Sequence, residues 1–222
     1  NKIDISTEKN YFSYIRSIDE NLLKFQQEVQ LADQTKLEKI AQELTWDEIK
    51  KELENCDDHR DLDGTIGPIK EIKRSLRYEF IIAVAITKQF KNTKVNARCR
   101  IDSFGWPIGH APGQTSNTSG ADIECFENNF NFIVEPSIGQ SESWQLTEGI
   151  NLDAHLKKFI SMEGKPAKGF FISPSIKQRV QTAARIFADE AGESIMKNLT
   201  TSNLIFKLEN ESNLEDCFNN AP

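Results

Sequence analysis

The sequence predicts an α/β fold in which a mixed β-sheet is flanked by helices and preceded by an N-terminal helical segment. Three observations predict it. Apolar residues recur at helical spacing near the start of the chain, short alternating runs follow its centre, and helical and strand patterns then take turns towards its end. With 222 residues, the chain is long enough for one domain or for a domain with an appendage.

Residues 1–63 are predicted to be helical and to act as a support or connector. After a first helix, two short helices are predicted by capping boxes, in which Thr35 is followed by Glu38 and Thr45 by Glu48. The polar, turn-rich stretch 57–67 then predicts a boundary, which leaves residues 64–222 as the second unit. The first helix is indicated by an apolar stripe at spacings of three and four residues, formed by Phe12, Ile15, Ile18, Leu22 and Phe25.

The elements of residues 64–222 follow from changes in periodicity. The apolar run 80–86 ends a long helix whose first half is basic, and Pro174 bounds a short apolar strand. In order, we predict a helix over Ile69–Phe90, a strand over Val95–Ile101, a loop over 103–120, strands over 121–127 and 130–137, a helix over Ser141–Ser161, a strand over Gly169–Ser173, a helix over Ser175–Lys197 and a strand over Asn203–Leu208.

The charge of the chain is unevenly distributed. The formal net charge is −7, yet residues 64–100 carry nine basic side chains against Glu71 and Glu79. A local block of this sign can contact phosphate groups even when the whole chain is acidic, but it is also what a solvated helix face looks like. Charge alone leaves both interpretations open.

The distribution of apolar residues and cysteines indicates the compartment. No run approaches the roughly 18 apolar residues of a transmembrane helix, so we expect no membrane association. The start of the chain lacks an export signal, and the four cysteines are scattered without the spacing of a disulfide framework. We therefore expect a cytoplasmic protein with reduced thiols.

A β-hairpin is predicted around Asn128 and Asn129, because asparagine tolerates the positive φ that a two-residue turn requires. Centring the hairpin there places Cys125 opposite Phe132, Ile123 opposite Val134 and Asp122 opposite Glu135. Side chains alternate along a strand, so the apolar members of these pairs share one face. Asp122, Glu124 and Glu135 share the other.

Two carboxylates held on directly opposed strand positions repel each other. Their Cβ atoms are expected to lie about 4.5–5.5 Å apart, and a proton, a basic side chain or a metal ion must offset the repulsion. Hard oxygen ligands at this separation suit Mg²⁺, which takes one or two carboxylates together with water and substrate phosphate. The alternative is a one-residue shift in the turn, which leaves these acids on an exposed edge.

Five short motifs follow one another along the chain, in this order: Gly109-His110-Ala111-Pro112-Gly113, Ala121-Asp122-Ile123-Glu124, Val134-Glu135-Pro136-Ser137, Trp144-Gln145-Leu146-Thr147-Glu148-Gly149 and His155-Leu156. This series resembles the cleavage domain of the AlwI-type restriction and nicking endonucleases, within the PD-(D/E)xK nuclease superfamily, and the resemblance covers about residues 77–185. It implies a type IIS, site-specific deoxyribonuclease that cuts double-stranded DNA.

The resemblance also implies the roles of individual residues. Asp122 and Glu135 correspond to the principal Mg²⁺ ligands, and Glu79, in a helix just upstream, to the acid that completes the metal site. Glu148 and His155 correspond to additional active-site residues. They lie seven positions apart in the sequence, so they are expected on one face of their helix.

The chain departs from the superfamily pattern at one important position. Ser137 stands where the superfamily has a lysine, and Gln114–Gly120 resembles an insertion. One alternative is therefore a nuclease-like subunit that binds DNA or a partner and has lost turnover. Another is an unrelated sugar hydrolase with paired carboxylates. If the resemblance holds, recognition of the DNA site lies in a domain or second subunit outside this chain, and dimerisation or that subunit decides whether one or both strands are cut.

Overall fold

The computed structural model describes residues 8–58, 63–110, 119–184 and 194–221, with the backbone alone at 8–10, 23, 26, 27 and 30. Within these residues the elements are helices and strands in alternating groups. In order they are α1 Glu8–Glu43, α2 Trp46–Asp57, a 3-10 turn Gly67–Ile69, α3 Arg74–Gln89, β1 Lys94–Ala97, β2 Arg100–Ile101, β3 Pro107–Gly109, β4 Ile123–Phe126, β5 Asn131–Pro136, α4 Glu142–Glu163, β6 Ala167–Ser173, α5 Gln178–Ala184, β7 Met196–Thr200, α6 Thr201–Asn210 and α7 Leu214–Asn219.

One of the two predicted helix starts near the N-terminus is confirmed. Thr45 caps α2, since its Oγ1 accepts from the Glu48 backbone at 3.3 Å while the Glu48 side chain accepts from the Thr45 backbone at 2.8 Å. The predicted start at Thr35 is wrong. Thr35 lies inside α1, where its hydroxyl donates to the Leu31 carbonyl at 2.9 Å. The helix continues through it because Leu37, Ile40 and Ala41 extend the apolar spacing into the core.

The two halves of α1 have different surroundings. The predicted stripe is helical but faces solvent, with Phe12 61% and Phe25 62% exposed. Leu37 and Ile40, by contrast, are 3% and 1% exposed and belong to the same apolar cluster as α2 and α3. The boundary near residue 63 stays a prediction, although the segment before it shares this cluster with the segment after it.

The mixed sheet is confirmed. Five of the described strands form it in the order β1-β4-β5-β6-β7, with antiparallel pairs on the β1 side and parallel pairs on the β7 side. The predicted hairpin register is confirmed, with Ile123 opposite Val134 and Cys125 opposite Phe132. β5 ends at Pro136, as expected for a residue without a backbone donor, and the next backbone N–H, of Ser137, donates to the Ile172 carbonyl at 2.8 Å.

The two faces of the sheet are covered by different layers. On one face α3 packs against the sheet and is almost completely buried, and Phe132, Phe170 and Phe218 stack between the sheet and the C-terminal helices. On the other face α4 and α5 cover a smaller cluster that includes Ile133, Leu152, Phe159 and Phe171. The candidate site lies next to this second cluster, where α4 and the ends of β4 and β5 meet the N-terminal part of α3.

Several predicted elements differ from the structure. The helix predicted from Ile69 begins at Arg74, because Gly67 and Pro68 form a 3-10 turn before it. The strand predicted over Val95–Ile101 is divided between β1 in the main sheet and β2, which pairs in a small separate sheet with β3, a strand inside the predicted loop. Residues 111–118 of that loop lie outside the described residues.

The C-terminal predictions contain two errors. The helix predicted over Ser175–Lys197 is α5 only as far as Ala184, residues 185–193 are outside the described residues, and Met196 already belongs to β7. The strand predicted over Asn203–Leu208 is the helix α6, because Thr200 caps it and its buried residues follow helical spacing. The helix α7 was not predicted.

The described helices include none that is both long and apolar enough to cross a bilayer. Cys56, Cys99, Cys125 and Cys217 are buried with free thiols. Burial raises the pKa of the Cys56, Cys99 and Cys217 thiols to about 12, so these side chains behave as small apolar core residues.

Candidate active site

An open cleft of about 480 Å³ lies beside the ends of β4 and β5, between the N-terminal part of α3 and one face of α4. Acidic and histidine side chains from four elements reach it. They include each residue that the sequence singled out: Glu79, Asp122, Glu135, Glu148 and His155. The roles of these residues stay predictions, but the fold brings them to one place from positions far apart in the chain.

Each element presents its residue for a local reason. Asp122 immediately precedes β4, where its carbonyl accepts from the Arg98 backbone at 2.9 Å, so its side chain leaves the sheet at the end of the strand. Glu135 is the penultimate residue of β5 and projects from the face opposite to Val134, which is in the core. Glu148 and His155 are two turns apart on α4 and face the same cleft.

Burial and mutual repulsion dominate the electrostatics of Asp122 and Glu135. Burial raises the pKa of Asp122 well above its ordinary range, and the negative charges of Glu135 and Glu79 raise it further. Burial also raises the pKa of Glu135, to about 8; the hydrogen bond to Asp122 opposes this rise, whereas the charges of Glu148 and Glu79 add to it. The two side chains are hydrogen-bonded to each other. Such a pair is stable only with a shared proton or a cation between the oxygens.

His155 contacts this pair directly. Its Nδ1 lies 2.7 Å from Glu135 Oε1, and both side chains are largely buried. Burial lowers the pKa of His155, although Asp122 and Glu148 oppose the effect. A neutral imidazole in this contact donates from Nδ1 to the carboxylate, and Nε2 then keeps its lone pair.

Glu79 contributes a carboxylate with one oxygen left over. Its Oε1 contacts His110 Nδ1 at 2.8 Å, whereas its Oε2 is buried without a hydrogen-bond partner among the described residues. Burial raises the pKa of Glu79, and the nearby His110 and Lys73 oppose that shift. A buried carboxylate oxygen without a donor is costly, so this atom indicates a missing cationic or donor ligand.

The oxygen donors of these residues are of the kind that Mg²⁺ prefers. The carboxylates of Asp122 and Glu135, together with the free oxygen of Glu79, supply hard oxygen donors at one cleft. In the described part of the chain, no three Asp, Glu, His or Cys side chains converge tightly enough to enclose a metal by themselves. That is compatible with Mg²⁺, which usually keeps several waters and takes few protein ligands.

Glu124 shares a strand face with Asp122 and Glu135, as predicted, but it has a different environment. Its carboxylate accepts from Ser119 Oγ at 2.6 Å and from Asn96 Nδ2 at 2.9 Å, and Arg98 lies 3.7 Å away. These partners neutralise it, and it does not line the cleft. Glu124 is therefore a structural acid.

The basic block of residues 64–100 is only partly available to a partner. Arg77 is buried in an ion pair with Glu52, and Arg98 pairs with Glu124. Arg74 and Lys88 donate to backbone carbonyls. The exposed members of the block are Lys70, Lys73, Lys91, Lys94 and Arg100. The interpretation of the whole block as a phosphate-binding surface is thus too broad, because its arginines at 74, 77 and 98 hold the fold together.

Sequence reasoning missed two basic residues that line the cleft. His110 contacts both Glu79 and, through Nε2 at 3.3 Å, Ser75. It lies in the quoted Gly109–Gly113 motif, whose residues 111–113 are outside the described residues, so the signal for it was present. Lys73 also lines the cleft, from the residue that precedes α3. It was counted only as part of the basic block.

Comparisons with known proteins agree with this architecture. A profile of the AlwI restriction endonuclease family matches residues 2–197, a wider span than the motifs alone suggested. The small subunit of the heterodimeric restriction endonuclease R.BspD6I has a similar fold, with a TM-score of 0.55 and 19% identity over 74% of this chain and 79% of that subunit. A search of curated proteins found no match. The family match spans most of the sequence, and the chain belongs to the AlwI restriction endonuclease family.

Proposed function

We propose that this chain is a Mg²⁺-dependent DNA endonuclease that hydrolyses phosphodiester bonds at the cleft beside β4 and β5. The observation that carries the proposal is the Asp122–Glu135 pair, which is buried and hydrogen-bonded without a lysine or arginine to neutralise it among the described residues. Membership of a restriction endonuclease family supports the same reaction class.

Asp122 and Glu135 would hold the Mg²⁺ directly, and the free oxygen of Glu79 would face the water shell of the ion. When bound, the ion would polarise the scissile phosphate, lower the pKa of an attacking water and offset charge on the leaving 3′ oxygen. The chain's own task is to hold these three acids in position, because burial raises their pKa values and favours their protonated forms until the ion binds. Loss of the shared proton on ion binding makes occupancy favourable at higher pH.

His155 and Glu148 line the cleft from α4. The hydrogen bond from His155 fixes the orientation of Glu135, as outer partners of metal ligands commonly do. Its other ring nitrogen is free to accept a proton from water near the phosphate. Glu148 adds negative charge to the same space, which favours a cation over an anion there.

Lys73 is suited to the position that the missing superfamily lysine leaves open. Ser137 supplies no charge, and its hydroxyl oxygen already accepts from Trp144 Nε1 at 3.1 Å and from the Gly139 backbone at 3.2 Å. Lys73 lines the same cleft from the other side, at the start of α3. We assign it the phosphate contact that a lysine two residues after Glu135 would otherwise make.

A second component is part of the proposal. The structurally similar protein is one subunit of a heterodimeric restriction enzyme. We propose that this chain likewise cuts double-stranded DNA together with a second subunit or a recognition domain. In that arrangement, the partner determines the recognised sequence and whether one or both strands are cut.

The alternative is a subunit that binds DNA or a partner without turnover. The observation that favours it is Ser137, which stands where the superfamily has a charged residue and whose hydroxyl oxygen already accepts from Trp144 and Gly139. In that case the cleft would bind Mg²⁺ without cleaving DNA.

The test is a supercoiled-plasmid assay that separates nicked from linear product, with Mg²⁺ and with EDTA. We expect Mg²⁺-dependent product from the natural protein, supplied with its second subunit where one exists, and none from Asp122→Ala or Glu135→Ala. The matched control is Glu142→Gln, because Glu142 lies on α4 in an exposed ion pair with Arg179 outside the cleft. Wild-type rates from either Ala variant contradict the assignment. Calorimetric Mg²⁺ binding without any cleavage supports the non-catalytic alternative.

A further inference from the structure

A tryptophan at the mouth of the cleft is both exposed and rigidly held. Trp144 lies in the first turn of α4, one turn before Glu148, and lines the same cleft. It is 54% exposed, whereas Phe159, Phe170 and Phe171 are buried in the core. Exposure of a large indole beside a catalytic cleft calls for a physical reason, because it leaves apolar surface in water.

The indole is seated on the turn that follows β5. Its Nε1 donates to Ser137 Oγ at 3.1 Å. A Cβ at Gly139 would lie only 2.1 Å from Trp144 Cδ1 and 2.5 Å from Nε1, so the ring occupies the space that a side chain at position 139 would need. The absence of a side chain at Gly139 therefore permits this ring position.

The turn beneath the ring is itself fixed. Gln145, the next residue, is completely buried and ties together the turn and the chain after β6. Its Nε2 donates to the carbonyls of Gly139 at 3.0 Å and Ser175 at 2.6 Å, and its Oε1 accepts from the Lys177 backbone at 3.0 Å. One side of the indole is thus held by hydrogen bonding and by close packing, which leaves the ring ordered before any ligand arrives.

We propose that the exposed side of Trp144 is a stacking platform for a nucleobase that is unstacked from the duplex where the DNA strand enters the cleft, and that Gly139 and Ser137 are its positioning residues. The inference rests on the proposed function, because it takes the ligand of the cleft to be DNA. Every base has a π-face, so stacking on an indole is tolerant of sequence. Such tolerance suits cleavage at bases that are not themselves recognised.

On α4, Trp144 would contact a base, and the cleft that Glu148 lines would receive the adjoining phosphate. Trp144 and Glu148 are one turn apart on the same helix face, so a base on the indole places the adjoining phosphate towards the acids. Lys73 lines the cleft as well and carries the charge that phosphate attracts. Contacts to both a base and a phosphate would fix the position of the DNA strand in the cleft, whereas charge attraction alone would not.

The experiment measures DNA binding separately from cleavage. The Asp122→Asn protein, with its second subunit where one exists, is titrated with a fluorescein-labelled duplex in Mg²⁺, and anisotropy and tryptophan emission are recorded. The second-site variants are Trp144→Ala, Trp144→Phe and Gly139→Ala, and Glu142→Gln is the control. We expect Trp144→Ala to weaken binding about tenfold. Trp144→Phe should recover most of the affinity, because it keeps a stacking ring, and Gly139→Ala should resemble Trp144→Ala, because its methyl group displaces the indole.

Quenching of Trp144 fluorescence by DNA tests for direct contact with a base, because a purely structural role for Trp144 would not cause it. Emission from Trp144, obtained as the difference between the Asp122→Asn protein and its Trp144→Phe variant, should be quenched by DNA. Unchanged affinity in Trp144→Ala together with unquenched Trp144 emission overturns the platform. A Trp144→Ala variant that binds DNA normally but no longer assembles with the second subunit also overturns it, and identifies the indole as a protein contact.

The two proposals fail in different ways. Quenching and the expected order of affinities, in a protein that never cleaves plasmid, support the platform while contradicting the endonuclease activity. Mg²⁺-dependent cleavage that survives Trp144→Ala with an unchanged KM contradicts the platform alone. Urea unfolding of each variant distinguishes a local loss of stacking from a loss of folding.

Discussion

The carboxylates of Glu124 and Glu135, on the hairpin strands β4 and β5, are buried in opposite electrostatic surroundings. Glu124 and Glu135 are about equally buried, with side chains 6% and 7% exposed. Glu124 has Arg98, Asn96 and Ser119 around its carboxylate. Glu135 has instead Asp122, Glu148 and Glu79 nearby, and a histidine whose pKa is lowered.

The difference separates an acid that the fold compensates from a pair of acids that it leaves uncompensated. Burial of a carboxylate is tolerated when charge and hydrogen bonds compensate it, and Glu124 satisfies that condition. The Asp122–Glu135 pair does not satisfy it without a proton or a cation. Uncompensated burial of this kind is typical of sites that bind a ligand which the fold itself lacks. Four expectations follow from this contrast, in order of decreasing effect.

The largest effect is expected from removing the cation beside Glu124. Arg98→Met leaves a buried carboxylate without its charge partner and should lower the free energy of unfolding by about 3 kcal/mol. Asp122→Asn should raise the free energy of unfolding in metal-free buffer, because it removes a charge that repels Glu135. Urea denaturation measures both variants. A decrease in stability for both variants would remove the distinction between the two sets.

The second expectation concerns pH. The pKa of Glu135 is raised from 4.5 to about 8, so the folded protein keeps a proton that the unfolded chain releases. The stabilisation is fully present below about pH 4.5, and it is lost as the pH rises towards 8. We expect the metal-free protein to lose on the order of a few kcal/mol across that window, discounting for coupling to Asp122.

Two controls sharpen the pH experiment. Glu135→Gln should flatten the loss of stability over this range, because the titrating group is gone. Mg²⁺ should restore stability at the upper end, where the deprotonated pair binds the cation. Unfolding curves at several pH values measure each effect. An identical slope in Glu135→Gln contradicts the assignment of the shared proton to this pair.

A smaller effect is expected at His155. His155→Asn removes the 2.7 Å contact with Glu135 and should weaken Mg²⁺ binding by roughly 10- to 100-fold. Calorimetry with Mg²⁺ measures the change. Lys157→Met is the matched control, because Lys157 lies on the same helix with its side chain 71% exposed. Equal affinities for the two variants mean that His155 does not orient Glu135.

The smallest effect is expected at Ser119. Ser119→Ala removes the 2.6 Å hydrogen bond to Glu124 but leaves Arg98 and Asn96 in place, so the loss should be about 1 kcal/mol. Ser17→Ala on the exposed part of α1 is the control and should change stability by less than about 0.5 kcal/mol. Thermal unfolding compares the two. A loss at Ser119 as large as that at Arg98 means that the hydroxyl, rather than the guanidinium, keeps Glu124 compensated.

The candidate site was more predictable than several of the elements around it. The Asn128–Asn129 turn and the alternation beside it were sufficient to predict the register that places Asp122 next to Glu135. Glu79, Glu148 and His155 were predicted through the family resemblance, and the structure places them at the same cleft. His110, Lys73 and the seating of Trp144 on Gly139 were not predicted, because these contacts join segments that lie apart in sequence.

The two errors have different physical origins. The strand predicted over Asn203–Leu208 is a helix, because Thr200 caps the segment and Leu204, Ile205 and Leu208 are buried at helical spacing. Both are local signals that the strand prediction did not use. Thr35 has the pattern of a cap, yet the buried residues that follow it continue the helix. There, packing against another element overrode a local preference worth only about 1 kcal/mol.

Local patterns determined which residues of this protein share a strand face, where its hairpin turns and which acids are forced together, because these properties depend on neighbours within a few positions. Tertiary structure decided which buried acid receives an arginine and which does not. Arg98 reaches Glu124 and Arg77 reaches Glu52 only after the chain has folded, and the cleft keeps its excess negative charge for the same reason. Charge compensation depends on distance in space, and a sequence records only distance along the chain.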